Sequence, residues 1–120
     1  MAKGPSPEYI LHNPRLLAQF LKLTPEQVTQ SQALYTTLSN TLRPLHDQEK
    51  ALRDQLATEL AKPSPDACTV GGYVVQIKGV VGQVAAALHT FDTAFSAILT
   101  PEQLAKYNAL KDAARLGDHH

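Results

Sequence analysis

Between residues 70 and 98 the apolar side chains Val70, Val74, Ile77, Val81, Val84, Leu88, Phe91, Phe95 and Ile98 recur at alternating steps of four and three. Held over four repeats, that spacing makes one face of a helix apolar and excludes a strand, whose inward positions recur at every second residue. Upstream, Tyr35, Leu38, Leu42, Leu45, Leu52 and Leu56 keep the same steps, with Glu49 at the one seam position that is not apolar. A helix with such a seam must bury it, and here each helix offers the other a matching seam. The stretch between them, Lys62-Pro63-Ser64-Pro65-Asp66, is short and proline-rich, and reads as a turn. The expected fold is therefore built on an antiparallel helical hairpin with helices over 25–61 and 66–99, each roughly 50 Å long at the rise of an α-helix.

Two shorter helices flank the hairpin in this reading, over 14–21 with Leu16, Leu17, Phe20 and Leu21, and over 101–116 with Leu104, Tyr107 and Leu110. No hairpin-turn signal joins two alternating runs, so the fold class is all-α with four helices. Residues 1–13 are expected to be a flexible N-terminal segment, 14–116 a single helical domain and 117–120 a tail. Pro44 lies inside the first long helix, where its ring clashes with the carbonyl of Asn40 at a cost of about 3 kcal/mol. The leucine seam stays in phase on both sides of it, which predicts a bend rather than a break.

The pentapeptide Leu-Thr-Pro-Glu-Gln occurs twice, at 23–27 and at 99–103. Each of its residues has a place in a helix start: Thr24 and Thr100 as caps, Pro25 and Pro101 at the first helical position, and Gln27 and Gln103 where a capping box closes. Leu23 and Leu99 precede the caps and can staple onto Val28 and Leu104, while Glu26 and Glu102 set negative charge against the positive end of the helix dipole. The motif fixes where a helix begins. It holds no nucleophile with a base beside it and so is not catalytic.

Two copies of this motif in a small helical chain, carried by Leu23, Thr24 and Gln27 and again by Leu99, Thr100 and Gln103, resemble the LTxxQ-motif family of bacterial periplasmic proteins. That family includes the Spy and CpxP chaperones and stress regulators and, more distantly, the CnrX-type metal sensors. The resemblance spans 14–116. It implies a four-helix chain that dimerises into a thin curved cradle, a periplasmic location with the export signal removed before this chain begins, and binding of unfolded or misfolded protein clients without ATP. The chain departs from the family in charge: eleven basic and eleven acidic residues cancel, whereas the cradle of the chaperone members is basic.

Neutrality also means that no overall field draws the chain to nucleic acid or to an anionic membrane. The run free of acidic and basic residues at 79–91 is shorter than the roughly 20 apolar residues of a membrane span, so no membrane insertion is expected. Opposite its seam, the second long helix carries Gly72, Val75, Gly79 and Gly82 among uncharged neighbours, a face too bare to be left in water. Three covers are open: the flanking helices, a second copy in a homodimer, or a client. Tyr35, Leu38 and Leu42 in the uncharged first half of the other helix join Gly72, Val75, Gly79 and Gly82 as the candidate client or dimer surface.

Cys68 is the one cysteine, which excludes an internal disulfide and leaves open only a bond between chains. His12, His46 and His89 stand apart, and His119 with His120 end the chain. A helix-borne metal site needs ligands three or four residues apart; His46 with Glu49 is such a pair, but no histidine has a partner histidine at that spacing, so neither a metal nor another cofactor is expected. The scatter of Ser, Cys and His argues against an enzyme. The sequence thus points to an ATP-independent periplasmic chaperone or stress-response protein, with a metal-responsive sensor or a regulatory adaptor of an envelope-stress kinase as the alternatives.

Overall fold

The computed structural model describes residues 6–117. It contains five α-helices and, among the described residues, no strand: α1 (Pro7–His12), α2 (Pro14–Leu21), α3 (Pro25–Leu60), α4 (Ala67–Ala97) and α5 (Pro101–Gly117). The all-α class and the long hairpin stand as the periodicity requires; the number of helices does not. Residues 7–12, expected to be irregular, form α1 because Ser6 accepts a hydrogen bond from the Tyr9 amide at 3.1 Å and Pro7 occupies the first helical position. Asn13 and Pro14 repeat the device for α2, the Asn13 side chain accepting from the Leu16 amide at 3.2 Å. Lys22 stops α2 in the left-handed conformation, φ 56°, and the Leu23 amide turns back to the Ala18 carbonyl at 3.0 Å.

The chain divides into two compact units, Ala33–Ala94 and the remainder. In the remainder, Phe95, Leu21 and Leu17 are sealed from solvent, with Tyr107, Leu110 and Ala114 of α5 buried around them. Phe95 meets Tyr107 edge-on at 5.0 Å between ring centroids, and Lys111 stands 4.5 Å above the Tyr107 ring.

The unit Ala33–Ala94 is the body of the hairpin. Leu52 of α3 is buried against Ile77 and Val80 of α4, with Leu45, Leu56 and Tyr73 around them, while Tyr35 meets Phe91 at 4.8 Å. Early residues of α3 thus face late residues of α4, which makes the pair antiparallel. Every α3 seam position from Tyr35 to Leu56 named above is at least half-buried. Along α4 the reading of the sequence needs correction. Val70, Ile77, Val84 and Phe91 turn inward, but Val74, Val81 and Leu88 are 37%, 44% and 46% exposed, and the core takes Tyr73, Val80 and Ala87 instead. Each of those three is the residue just before the expected one, so the periodicity is right and the rotation of the helix is off by about 100° at alternate positions.

Pro44 sits within an unbroken α3. Both Pro44 and Asn40 are exposed, so solvent can bond to the carbonyl that the proline leaves unpaired.

The turn is closed by Glu59, 7% exposed, which accepts from Lys62 Nζ and from the Asp66 amide, both at 2.9 Å. Asp66 in turn caps α4, accepting from the Thr69 amide at 2.9 Å and from Thr69 Oγ1 at 2.7 Å. The Asp66 amide, then Lys62, hold the Glu59 carboxyl below its ordinary value, and the two Thr69 donors do the same for Asp66.

Candidate functional site

The two copies of the pentapeptide answer to each other. Each closes its own capping box: the Thr24 amide donates to Gln27 Oε1 at 2.9 Å and the Gln27 amide to Thr24 Oγ1 at 3.1 Å, while Thr100 and Gln103 make the same pair of bonds at 2.9 and 3.2 Å. The glutamine amides then cross. Gln27 Nε2 donates to Gln103 Oε1 at 2.7 Å and to the Ile98 carbonyl at 2.8 Å, just ahead of the second motif. Gln103 Nε2 donates to Gln27 Oε1 at 3.1 Å and to the Leu21 and Lys22 carbonyls at 3.2 and 3.3 Å, just ahead of the first.

Gln27 and Gln103 are 8% and 9% exposed, and among the described residues no buried side-chain nitrogen or oxygen lacks a partner. Four side-chain atoms are therefore satisfied reciprocally in a buried place, where an unpaired amide would be costly. The starts of α3 and α5 are locked together with the end of α2. Thr24, Thr100, Leu23 and Leu99 serve this clasp, whose chemistry is structural.

An apolar groove lies elsewhere, in the unit Ala33–Ala94. Leu34, Thr37, Leu38 and Thr41 of α3 and Ala87, Thr90, Phe91 and Ala94 of α4 line an apolar groove of 190 Å³ that opens to solvent. No lining residue carries a charge. Thr41 turns its hydroxyl to the Thr37 carbonyl at 3.0 Å, which satisfies that donor within the helix. Burial pushes the hydroxyl of Tyr35 above its ordinary value, as suits a ring tilted against Phe91 at 4.8 Å between centroids.

Of the candidate surface residues, Leu38 lines the groove, and Tyr35 and Leu42 are half-buried in the seam. Gly72, Val75, Gly79 and Gly82 are not brought to them; they lie on the outer side of α4. Nothing approaches within 4 Å of where a Cβ would stand on Gly72, Gly79 or Gly82. Of the groove's other members, Thr37, Thr41, Ala87, Thr90 and Ala94 are small or hydroxylated and give no periodic signal, and Leu34 stands one residue before the seam position Tyr35.

Among the described residues α4 alone is long and apolar enough to cross a membrane by length and composition. The short charge-free run predicts no such span, but Lys78 and Asp92 are the two charges in α4 and do not by composition exclude one. In this structure the helix packs its inward stripe on α3.

No group of three or more His, Cys, Asp or Glu side chains gathers as a metal site among the described residues. His46 is exposed, and its neighbour Glu49 is held by Arg53 at 2.7 Å. His119 and His120 lie outside the described residues.

Two long helices that fold back on each other, with no strand among the described residues and with paired Thr/Gln capping boxes at the helix starts, define a class of small helical-hairpin proteins. Residues 2–106 match the heavy-metal resistance family, and the chain belongs to that family, which unites LTxxQ-type, Spy-like, CpxP-like and CnrX-like proteins. Proteins of this family are generally periplasmic and serve metal resistance and related stress. No curated protein and no solved structure matches the chain.

Proposed function

We propose that this chain is an ATP-independent periplasmic chaperone of the stress response, a binding protein and not an enzyme, which holds apolar side chains of unfolded clients in the groove between α3 and α4. The observation that carries the reading is the groove itself: eight uncharged residues around 190 Å³, open along one side. That volume falls below the roughly 300–1,000 Å³ of sites that enclose a small molecule, and suits a single side chain of a longer partner. An uncharged lining selects for exposed apolar segments irrespective of their flanking charge, which agrees with a chain of no net charge.

The test is the aggregation of two unrelated denatured proteins, followed by light scattering without nucleotide. The chain is expected to suppress both at near-equal ratio. Thr37→Asp and Thr90→Asp, at exposed positions of the lining, are expected to abolish suppression while the far-UV spectrum stays helical. Full suppression by both variants would move client binding off the groove.

Membership of a family described by heavy-metal resistance favours a second reading, a metal-responsive sensor with His46 and Glu49 of α3 as its first ligands. A metal there must displace Arg53 from Glu49. Isothermal titration with zinc, nickel and copper on a chain lacking His119 and His120 decides it, and absence of heat with all three would end this reading.

A further inference from the structure

Where α3 ends and α4 begins, Asp54, Gln55, Thr58, Glu59, Lys62 and Tyr73 line an open cavity of 280 Å³. It shares no residue with the apolar groove, which belongs to the other end of the hairpin. Its chemistry is also the reverse of the groove's, since every lining side chain carries a polar atom. Asp54, Thr58 and Lys62 follow one another at steps of four, with Gln55 and Glu59 between them, so a single face of late α3 and the turn supplies all but Tyr73.

The charges of this lining are already spent on one another and on their neighbours. Asp54 accepts from Lys50 Nζ at 3.1 Å, and Glu59 accepts from Lys62 Nζ and from the Asp66 amide, both at 2.9 Å. An entering cation must displace a lysine from its carboxylate, and an entering anion faces two carboxylates at once. A ligand without charge meets neither obstacle. For such a ligand the lining keeps a mixed set of donors and acceptors. The Gln55 amide and the Tyr73 hydroxyl make no hydrogen bond among the described residues, and each can both donate and accept. Asp54 holds Lys50 through Oδ2, which leaves Oδ1, and Thr58 donates to the Asp54 carbonyl at 3.0 Å while its oxygen can still accept. Tyr73 adds an aromatic ring held in place by packing on Leu52, Ile77 and Val80.

We propose that this cavity binds a sugar unit, either free or as part of a glycan. The hydroxyls of a pyranose each donate and accept, which matches Gln55, Thr58 and Tyr73, and they bond to Asp54 and Lys62 with the added strength of a charged partner. The C–H bonds on the flat side of the sugar ring find their apolar surface on Tyr73. A peptide backbone uses the lining less fully, because it offers one donor and one acceptor per residue and no ring face for Tyr73.

Amide chemical shifts followed by nuclear magnetic resonance test the site. The probes are glucose and N-acetylglucosamine as free sugars and the linear trisaccharide of N-acetylglucosamine as a glycan. Putrescine, inorganic phosphate and an N-acetylated, amidated triglycine stand for cations, anions and peptides. At least one of the sugars is expected to shift the amides of Gln55, Thr58 and Tyr73 saturably at millimolar concentration, and the other three probes are not. Saturation by a free sugar supports a soluble ligand, and saturation by the trisaccharide alone supports a polymeric one. Gln55→Ala, at an exposed helix position, is expected to weaken sugar binding about tenfold or more. Tyr73→Phe keeps the ring and is expected to lose less than Tyr73→Leu. Gln55 has no part in the groove, so Gln55→Ala is expected to suppress aggregation as the parent chain does, and the two sites fail separately. No saturable shift with any sugar, saturation by putrescine, phosphate or the peptide in place of a sugar, or sugar binding undiminished in both Gln55→Ala and Tyr73→Leu would overturn the proposal.

Discussion

Truncating Gln103 to alanine removes one half of the clasp without touching the helix it starts, because the Gln103 amide keeps its bond to Thr100 Oγ1. The Thr100 amide loses its acceptor, the Leu21 and Lys22 carbonyls lose their donor, and the Gln27 side chain loses both bonds to its counterpart. Breaking a capping box alone costs about 1 kcal/mol. Each further bond contributes about 0.5–1.5 kcal/mol net, and polar atoms left buried without a partner add about 1–3 kcal/mol more. The expected loss for Gln103→Ala is thus at least about 4 kcal/mol, against about 1 kcal/mol for Thr100→Ala, which removes only the cap.

Gln27→Ala is expected to behave alike, and the double variant to lose less than the sum of the two, with a coupling of about 0.5–3 kcal/mol because the glutamines share their bonds. Urea unfolding followed by circular dichroism at 222 nm measures all four chains. A Gln103→Ala loss no larger than that of Thr100→Ala, together with additive behaviour of the double variant, would refute the crossed amides as a source of stability.

In dilute, monomeric protein, Ile77→Ala is expected to cost about 2–5 kcal/mol and Val81→Ala no more than about 0.5 kcal/mol; equal losses in thermal melts would restore the seam expected from periodicity. The Glu59 and Asp66 carboxyls are held below their ordinary values of 4.5 and 3.8, so the bonds that close the turn are fully present above those values and are lost as pH falls through the depressed ones. Melting temperature is therefore expected to fall in that acid range, and Glu59→Gln to flatten part of the fall; an unchanged acid profile in Glu59→Gln would remove that carboxylate from the account. Replacing Pro44 by alanine is expected to raise stability by up to about 3 kcal/mol through the restored bond to Asn40, as a melt would show.

Both Gln27 and Gln103 were legible as capping residues from their spacing alone, because a capping box is closed within four residues and needs no neighbour. Their mutual bonds were not, since they join positions seventy-six residues apart. Glu59 gave no such signal in the sequence, since its burial comes from accepting the amide of Asp66 across the turn. The groove was half legible. Leu38 announced itself by periodicity, whereas Thr37, Thr90 and Ala94 acquire a role only from what stands opposite.

Local chemistry written in the chain determined where helices begin, since Ser6-Pro7, Asn13-Pro14, Thr24-Pro25 and Thr100-Pro101 each combine a cap with a residue already set in helical geometry. It determined, too, that two long helices pair in antiparallel fashion, because two matched seams across a short turn have no other way to leave water. Which side of α4 turns inward was decided by tertiary structure alone. Tyr73 and Val74, and likewise Val80 and Val81, are neighbours of similar apolarity, and a helix apolar over so much of its surface has no preferred face until α3 packs against it.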